Sequence, residues 1–123
     1  MAGESATRDK GTWAETAALG FLQEQGLVLM KKNYRTRGGE IDLIMQDNDT
    51  IAFIEVRYRA ANSYVKAIES IDRRKCERII RTSQHYLLSF QQSNRFFCRF
   101  DVITVTGARQ SPQIGWIKNA FDA

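Results

Sequence analysis

The chain has 123 residues, with 18 Lys and Arg against 14 Asp and Glu and a formal net charge of +4; its pI is near 9.3. That length fits one domain and is enough to bury a core. The balance of 43% hydrophobic to 26% charged residues is that of an ordinary globule and excludes disordered and low-complexity classes. The basic excess is compatible with a polyanionic partner but does not require one. No apolar run approaches the ~20 residues that cross a bilayer. The opening MAGESATRDKG lacks the apolar stretch of a secretory signal. A cytoplasmic location with no membrane partner is therefore expected. Cys76 and Cys98 fit no zinc spacing and no disulfide framework, so they are expected to be reduced thiols that pack as small hydrophobes.

Residues 1–9 are small and polar and are expected to form a flexible N-terminus ahead of a single domain over residues 10–123. From about Thr12 to Gln25, Trp13, Ala17 and Phe21, and beside them Ala14, Ala18 and Leu22, recur at helical spacing. Gly26 follows as the left-handed residue that ends a helix. Leu27 to Arg35 has a strand pattern that turns basic, and Thr36 to Gly39 is a Gly-rich turn. Two further strand patterns, Glu40–Gln46 and Thr50–Tyr58, flank Asp47-Asn48-Asp49. Residues 59–69 are expected to form a loop with some helical turn. A second helix is predicted from Ser70 to Phe90, with Cys76, Ile79, Ile80, Ser83 and Leu87 along one stripe. Phe96 to Thr106 is nearly continuous in apolar character, as in a strand buried on both faces. Gly107 to Pro112 is a turn, and Ile114 to Ile117 a short last strand. Helix, three strands, helix, two strands predicts an α/β fold: one mixed sheet flanked by helices. The second helix permits a crossover to a parallel neighbour.

Two acids stand where a half-buried strand usually carries Val or Ile: Asp42 inside EIDLI and Glu55 inside FIEVR. A hairpin turning on Asn48-Asp49 sets Asp42 opposite Glu55 and Glu40 opposite Arg57. Side chains alternate along a strand, so all four project from one face, together with Ile44 and Phe53. Opposed carboxylates repel and want a cation. A hard divalent ion with oxygen ligands and retained waters, Mg²⁺ or Mn²⁺, suits them. Glu40 either joins this site or pairs with Arg57 across the hairpin.

Asp-x12-Glu-x-Arg resembles the PD-(D/E)xK motif of restriction-endonuclease-like nucleases. The closer resemblance is to the YraN family of small bacterial proteins. It runs over the chain after the first ten residues, through GTWAETAALGFLQEQG, KKNYRTRGGEIDLI, FIEVRYR, the helix with Lys75, CRFDVITVTG and WIKNAF. This resemblance implies an αβββαβ nuclease-type core and DNA cleavage. It implies that the Val56 carbonyl serves as a further ligand and that Glu15 on the first helix is an outer acid; a solvated helix-surface Glu is the alternative. It also implies that Lys75 carries a functional ammonium, against the alternative of a surface Lys. Arg57 departs from the Lys usual in the nuclease motif: it keeps the charge but does not deprotonate at working pH. A homodimer presenting two sites is expected from the likeness to junction-resolving nucleases.

Arg74, Arg78 and Arg81 fall at i, i+4 and i+7 of the second helix. With Arg35, Arg37 and Arg59 near the acids they form a set able to track a phosphate backbone, or else a solvated basic face. His85, the only histidine, is expected to be structural. Tyr34, Tyr58 and Tyr64 either stack on bases or pack the core rim. GGE lacks the Lys-Ser/Thr of a phosphate-binding loop, and there is no G-x-S-x-G elbow. The leading expectation is a metal-dependent endonuclease acting on DNA, including branched DNA. The rival is a nucleic-acid-binding module with a degenerate site.

Overall fold

A computed structural model describes residues 2–59 and 71–123. Helix α1 spans Ala2–Glu24, strands β1, β2 and β3 span Val28–Thr36, Gly39–Asp47 and Thr50–Arg59, helix α2 spans Arg73–Ser89, and strands β4 and β5 span Phe97–Thr106 and Gln113–Phe121. The five strands form one sheet whose spatial order follows the chain. Only β3 and β4 are parallel; the other neighbours are antiparallel. This is the expected α/β fold, a mixed sheet with the αβββαβ order of restriction-endonuclease-like cores. The predicted loop over residues 59–69, and Tyr64 within it, lie almost wholly outside the described residues.

Each helix covers one face. Ala14, Ala18 and Leu22 of α1 pack with Leu43, Met45, Ala52, Ile54, Ile103 and Val105. Ile79 of α2 packs with Ile41, Ile44, Ile51, Phe53 and Phe100. Strand β4 is buried from Phe100 to Thr106 because it lies between β3 and β5 and under both layers. At about 1.5–3 kcal/mol for each buried Leu, Ile, Val or Phe, these two clusters can carry a few buried polar groups elsewhere.

The punctuation follows local chemistry. Helix α1 ends in a Schellman arrangement: Leu27 N–H donates to the Leu22 carbonyl, Gly26 N–H to that of Gln23, and Gly26 takes φ +95°. Its start differs from the sequence expectation, because the backbone is helical from Ala2 rather than Thr12. Polar residues 2–9 include no Pro, and helix propensity alone allows the continuation. Helix α2 begins at Asp72, whose Oδ1 accepts Lys75 N–H at 2.8 Å. That cap fixes the first turn of α2 and with it the position of Lys75. Strand β5 runs to Phe121, longer than its apolar residues predicted, because it pairs along β4.

Asp101 on β4 is fully buried. It accepts from Arg99 Nε at 3.0 Å, from Trp116 Nε1 at 3.1 Å and from Asn119 N–H at 3.0 Å. Arg99 also reaches Asp47 at 2.9 Å, so one guanidinium ties β2 to β4 across β3.

Candidate functional site

The predicted register between β2 and β3 is present from Asp47–Thr50 to Leu43–Ile54, and there the ladder ends. Asp42 and Glu55 come next in sequence but are not backbone partners. Instead Val56 N–H donates to Asp42 Oδ2 at 2.8 Å. A side-chain oxygen has replaced a ladder carbonyl, and the strands part around it. The N–H and C=O of one strand residue point the same way, so the Val56 carbonyl points into the same gap.

This corrects the expectation of a single face. Ile41 belongs to the core under α2 and Leu43 to the core under α1, although they are two residues apart. The alternation breaks at Asp42, whose carboxylate lies between the strands rather than beside Ile44. Glu55 keeps the α2 side: it is 5% exposed, and Lys75 Nζ stands 3.7 Å from its Oε2. Oε2 itself is buried without a hydrogen bond. Burial first, then the Asp42 charge and hydrogen bond, push the Glu55 carboxyl up to about 9, against the opposing pull of Lys75 and Arg57. The two cations do not neutralise the pair.

A cleft of about 830 Å³ opens on the α1 side of the gap, lined by Glu15, Asn33, Glu40, Asp42, Val56 and Arg57 among others. Glu15 therefore faces the site rather than bulk solvent. Burial, then the Asp42 and Glu40 charges, raise its carboxyl to about 7, with Lys32 opposing. Glu40 lines the cleft too, but its ion partner is Arg35, at 3.3 Å on β1, and not Arg57. Strand β2 lies between β1 and β3, and Glu40 found its cation on the other neighbour. Arg57 lines the cleft with its Nε buried and without a hydrogen bond. Arg59 is exposed at the cleft edge.

Sequence reasoning missed Asn33. It takes φ +50°, a left-handed conformation that Asn tolerates better than most residues. Oriented to satisfy both partners, its amide nitrogen donates to Glu15 Oε1 at 2.7 Å and Glu40 Oε1 at 3.3 Å. The available signal was an Asn, a poor strand former, inside KKNYRT. The basic residues divide between two places. Arg74 is exposed on the first turn of α2, while Arg78 and Arg81 lie against the Gly38-Gly39 turn with Arg37 opposite. Tyr34 and Tyr58 pack edge-on against Tyr86 and Trp13, as rim residues do.

Among the described residues no three Asp, Glu, His or Cys side chains form a ready metal cage. Magnesium does not need one. It is commonly held by one or two carboxylates, waters and a substrate phosphate. Asp42, Glu55 with its orphaned Oε2, and the Val56 carbonyl supply hard oxygens only, and this donor set fits such an ion.

The fold is that of a restriction-endonuclease-like α/β domain. Comparison with known proteins gives the family. The model of the uncharacterised protein family UPF0102, the YraN family, matches residues 14–105. A UPF0102 protein of Nitrosomonas europaea is 48% identical over 118 residues, covering 96% of this chain and 98% of that one. One of Legionella pneumophila is 44% identical over 117 residues, covering 95% and 98%. One of Pseudomonas aeruginosa is 42% identical over 125 residues, with both chains covered in full. The chain belongs to the UPF0102 family, as the motifs GGEIDLI and FIEVRYR led us to expect.

Proposed function

We propose that this protein is a metal-dependent endonuclease-like phosphodiester hydrolase acting on DNA, including branched or otherwise structured DNA. One observation carries the reading: a buried Glu55 Oε2 that has no hydrogen bond, beside an Asp42 carboxylate, where two strands separate. Asp42, Glu55 and the Val56 carbonyl would hold Mg²⁺ or Mn²⁺, with Glu15 and Glu40 as outer acids. Such an ion, when bound, acidifies water and offsets charge on a phosphate.

The chain's own groups do the rest. Lys75, held by the Asp72 cap and 3.7 Å from Glu55, supplies the ammonium that the nuclease motif carries two residues after its second acid. Arg57 keeps positive charge at the cleft, where its guanidinium can meet a phosphate oxygen. Asn33 ties the outer acids Glu15 and Glu40 to each other. Arg35, Arg37, Arg59, Arg74, Arg78 and Arg81 form the phosphate-tracking set. A homodimer would present two such sites to a branched substrate.

The test is a cleavage screen over linear, nicked, flapped and four-way DNA with Mg²⁺ and with Mn²⁺, using Asp42→Asn as the blank. Metal-dependent cutting lost in the blank is the expected result. Salt-sensitive binding with no cutting of any substrate would instead assign a non-catalytic nucleic-acid-binding module. Neither binding nor cutting would end both readings.

A further inference from the structure

A second cavity, of about 620 Å³, lies between the β1–β2 turn and the middle of α2. Its walls include Arg35, Arg37, Gly38, Arg81, His85 and Leu88. Three features distinguish it from a solvated basic face. First, the turn is pressed onto the helix. A Cβ on Gly38 would stand 3.5 Å from Arg81 Cδ, and one on Gly39 would meet Thr82 Oγ1 at 3.1 Å. The Arg81 stem therefore lies along the turn, with Arg37 projecting from the same turn.

Second, cationic side chains border an otherwise largely apolar wall. Among the described residues neither Arg37 nor Arg81 has an acidic partner, and Arg35 shares its charge with Glu40 at the rim. Third, His85 is oriented. Its Nδ1 is hydrogen-bonded to the Tyr34 hydroxyl. With the phenol donating to Nδ1, the N–H of the ring is at Nε2. Two unpaired guanidinium groups and an imidazole N–H then border one opening that holds no carboxylate.

We infer that this cavity is a phosphate-binding site that grips a backbone phosphate of a nucleic-acid strand running past the acid pair. Guanidinium forks and an imidazole N–H match phosphate oxygens in geometry and charge. Gly38 in the cavity wall and Asp42 are four residues apart along an extended segment, so their backbones are separated by about 13 Å. The same strand reaches both. This inference rests on the nucleic-acid reading above for its occupant, but not for the existence of an anion site.

The chain has one histidine, so its imidazole NMR signals report the cavity without ambiguity. Inorganic phosphate, titrated at constant ionic strength against chloride, is expected to move the His85 signals saturably. In the Arg37→Gln/Arg81→Gln double variant, half-saturation should need at least tenfold more phosphate. Both arginines are exposed, and a wild-type amide spectrum would verify that the double variant is folded. A non-saturating wild-type response, or the same curve for both proteins, overturns the site.

With DNA, the double variant should lower the log–log salt slope by roughly 0.9, the value of one lost phosphate contact. Its Mn²⁺-induced rise in melting temperature should be unchanged. A wild type that cuts DNA while phosphate leaves His85 unmoved sinks this site and spares the proposed function. A saturable His85 response in a wild type that neither binds nor cuts DNA overturns the strand as occupant.

Discussion

Glu55→Gln is the substitution whose thermodynamics the structure constrains most tightly. The buried carboxyl holds its proton up to about pH 9 in the folded, metal-free protein, whereas an unfolded Glu releases it near 4.3. A folded value raised above the unfolded one gives stability that is fully present below the unfolded value. That stability is lost as pH rises toward the folded value. Between about pH 5.5 and 8 the native state thus holds one more proton than the unfolded chain, and stability falls by at most about 1.4 kcal/mol per pH unit. From pH 6 to 8 that is about 3 kcal/mol, or a fall of roughly 10 °C in melting temperature for a domain of this size. Glu15, raised to about 7 but more open to solvent, adds a smaller slope that ends near neutrality. Glutamine is neutral at every pH and close in shape. Urea denaturation of wild type and Glu55→Gln in EDTA, at pH 6, 7 and 8, measures the difference. The variant is expected to be nearly flat above pH 7 and to overtake the wild type at pH 8. Mn²⁺ at pH 8 should restore the wild type and leave the variant unmoved. Parallel pH profiles for the two proteins would refute the account of Glu55 as a proton-holding, under-neutralised acid.

Other residues give further expectations. Arg57→Ala should lower turnover by roughly 10²-fold or more if the guanidinium steadies charge developing on the phosphate. It should leave the Mn²⁺ response intact, whereas a merely structural Arg57 would leave cleavage nearly unchanged. Gly39→Ala should cost about 1–3 kcal/mol in urea denaturation, because its Cβ would stand 3.1 Å from Thr82 Oγ1 and 3.2 Å from Arg78 Cβ. Asp101→Ala should cost about 3–5 kcal/mol, since it leaves Trp116 Nε1 and Asn119 N–H without their buried acceptor and takes one of the two acids that hold Arg99. A loss below 1 kcal/mol would mean that water replaces the carboxylate there.

The sequence carried the fold further than the site, and particular residues explain why. The β2–β3 register followed from the two-residue turn, and Asn48 takes the positive φ that such a turn requires. Alternation then failed at Asp42, because a carboxylate can stand in for a backbone acceptor and no periodicity marks where it will. The hairpin pattern leaves Glu40 between joining the acids and pairing with Arg57; it lines the cleft and pairs with Arg35, a partner out of view because such a pattern describes one neighbour and a central strand has two. Lys75 is close to Glu55 only because α2 packs across the sheet at β2, a packing fact without local signature. Asn33 was passed over as an isolated polar residue, and its place between two acids comes from its φ. His85, expected to be structural, is bound to Tyr34, 51 positions away, which no local pattern could pair with it.

The bond from Val56 N–H to Asp42 Oδ2 bears on how any inactive form of this protein should be made. Asp42 is a structural acceptor as well as an acid. Truncating it to Ala withdraws the charge and also leaves a sheet N–H without its acceptor, a loss on the order of 1–3 kcal/mol. The neighbouring strand ends would be free to drift. An experimenter who saw no activity in Asp42→Ala would be comparing two differently shaped proteins. Asn keeps an oxygen that can accept from Val56 while giving up the anion, so it separates the role of charge from the role of shape. The same reasoning predicts which natural variants could shed metal chemistry and keep the fold: those with Asn, and not an apolar residue, at this one position.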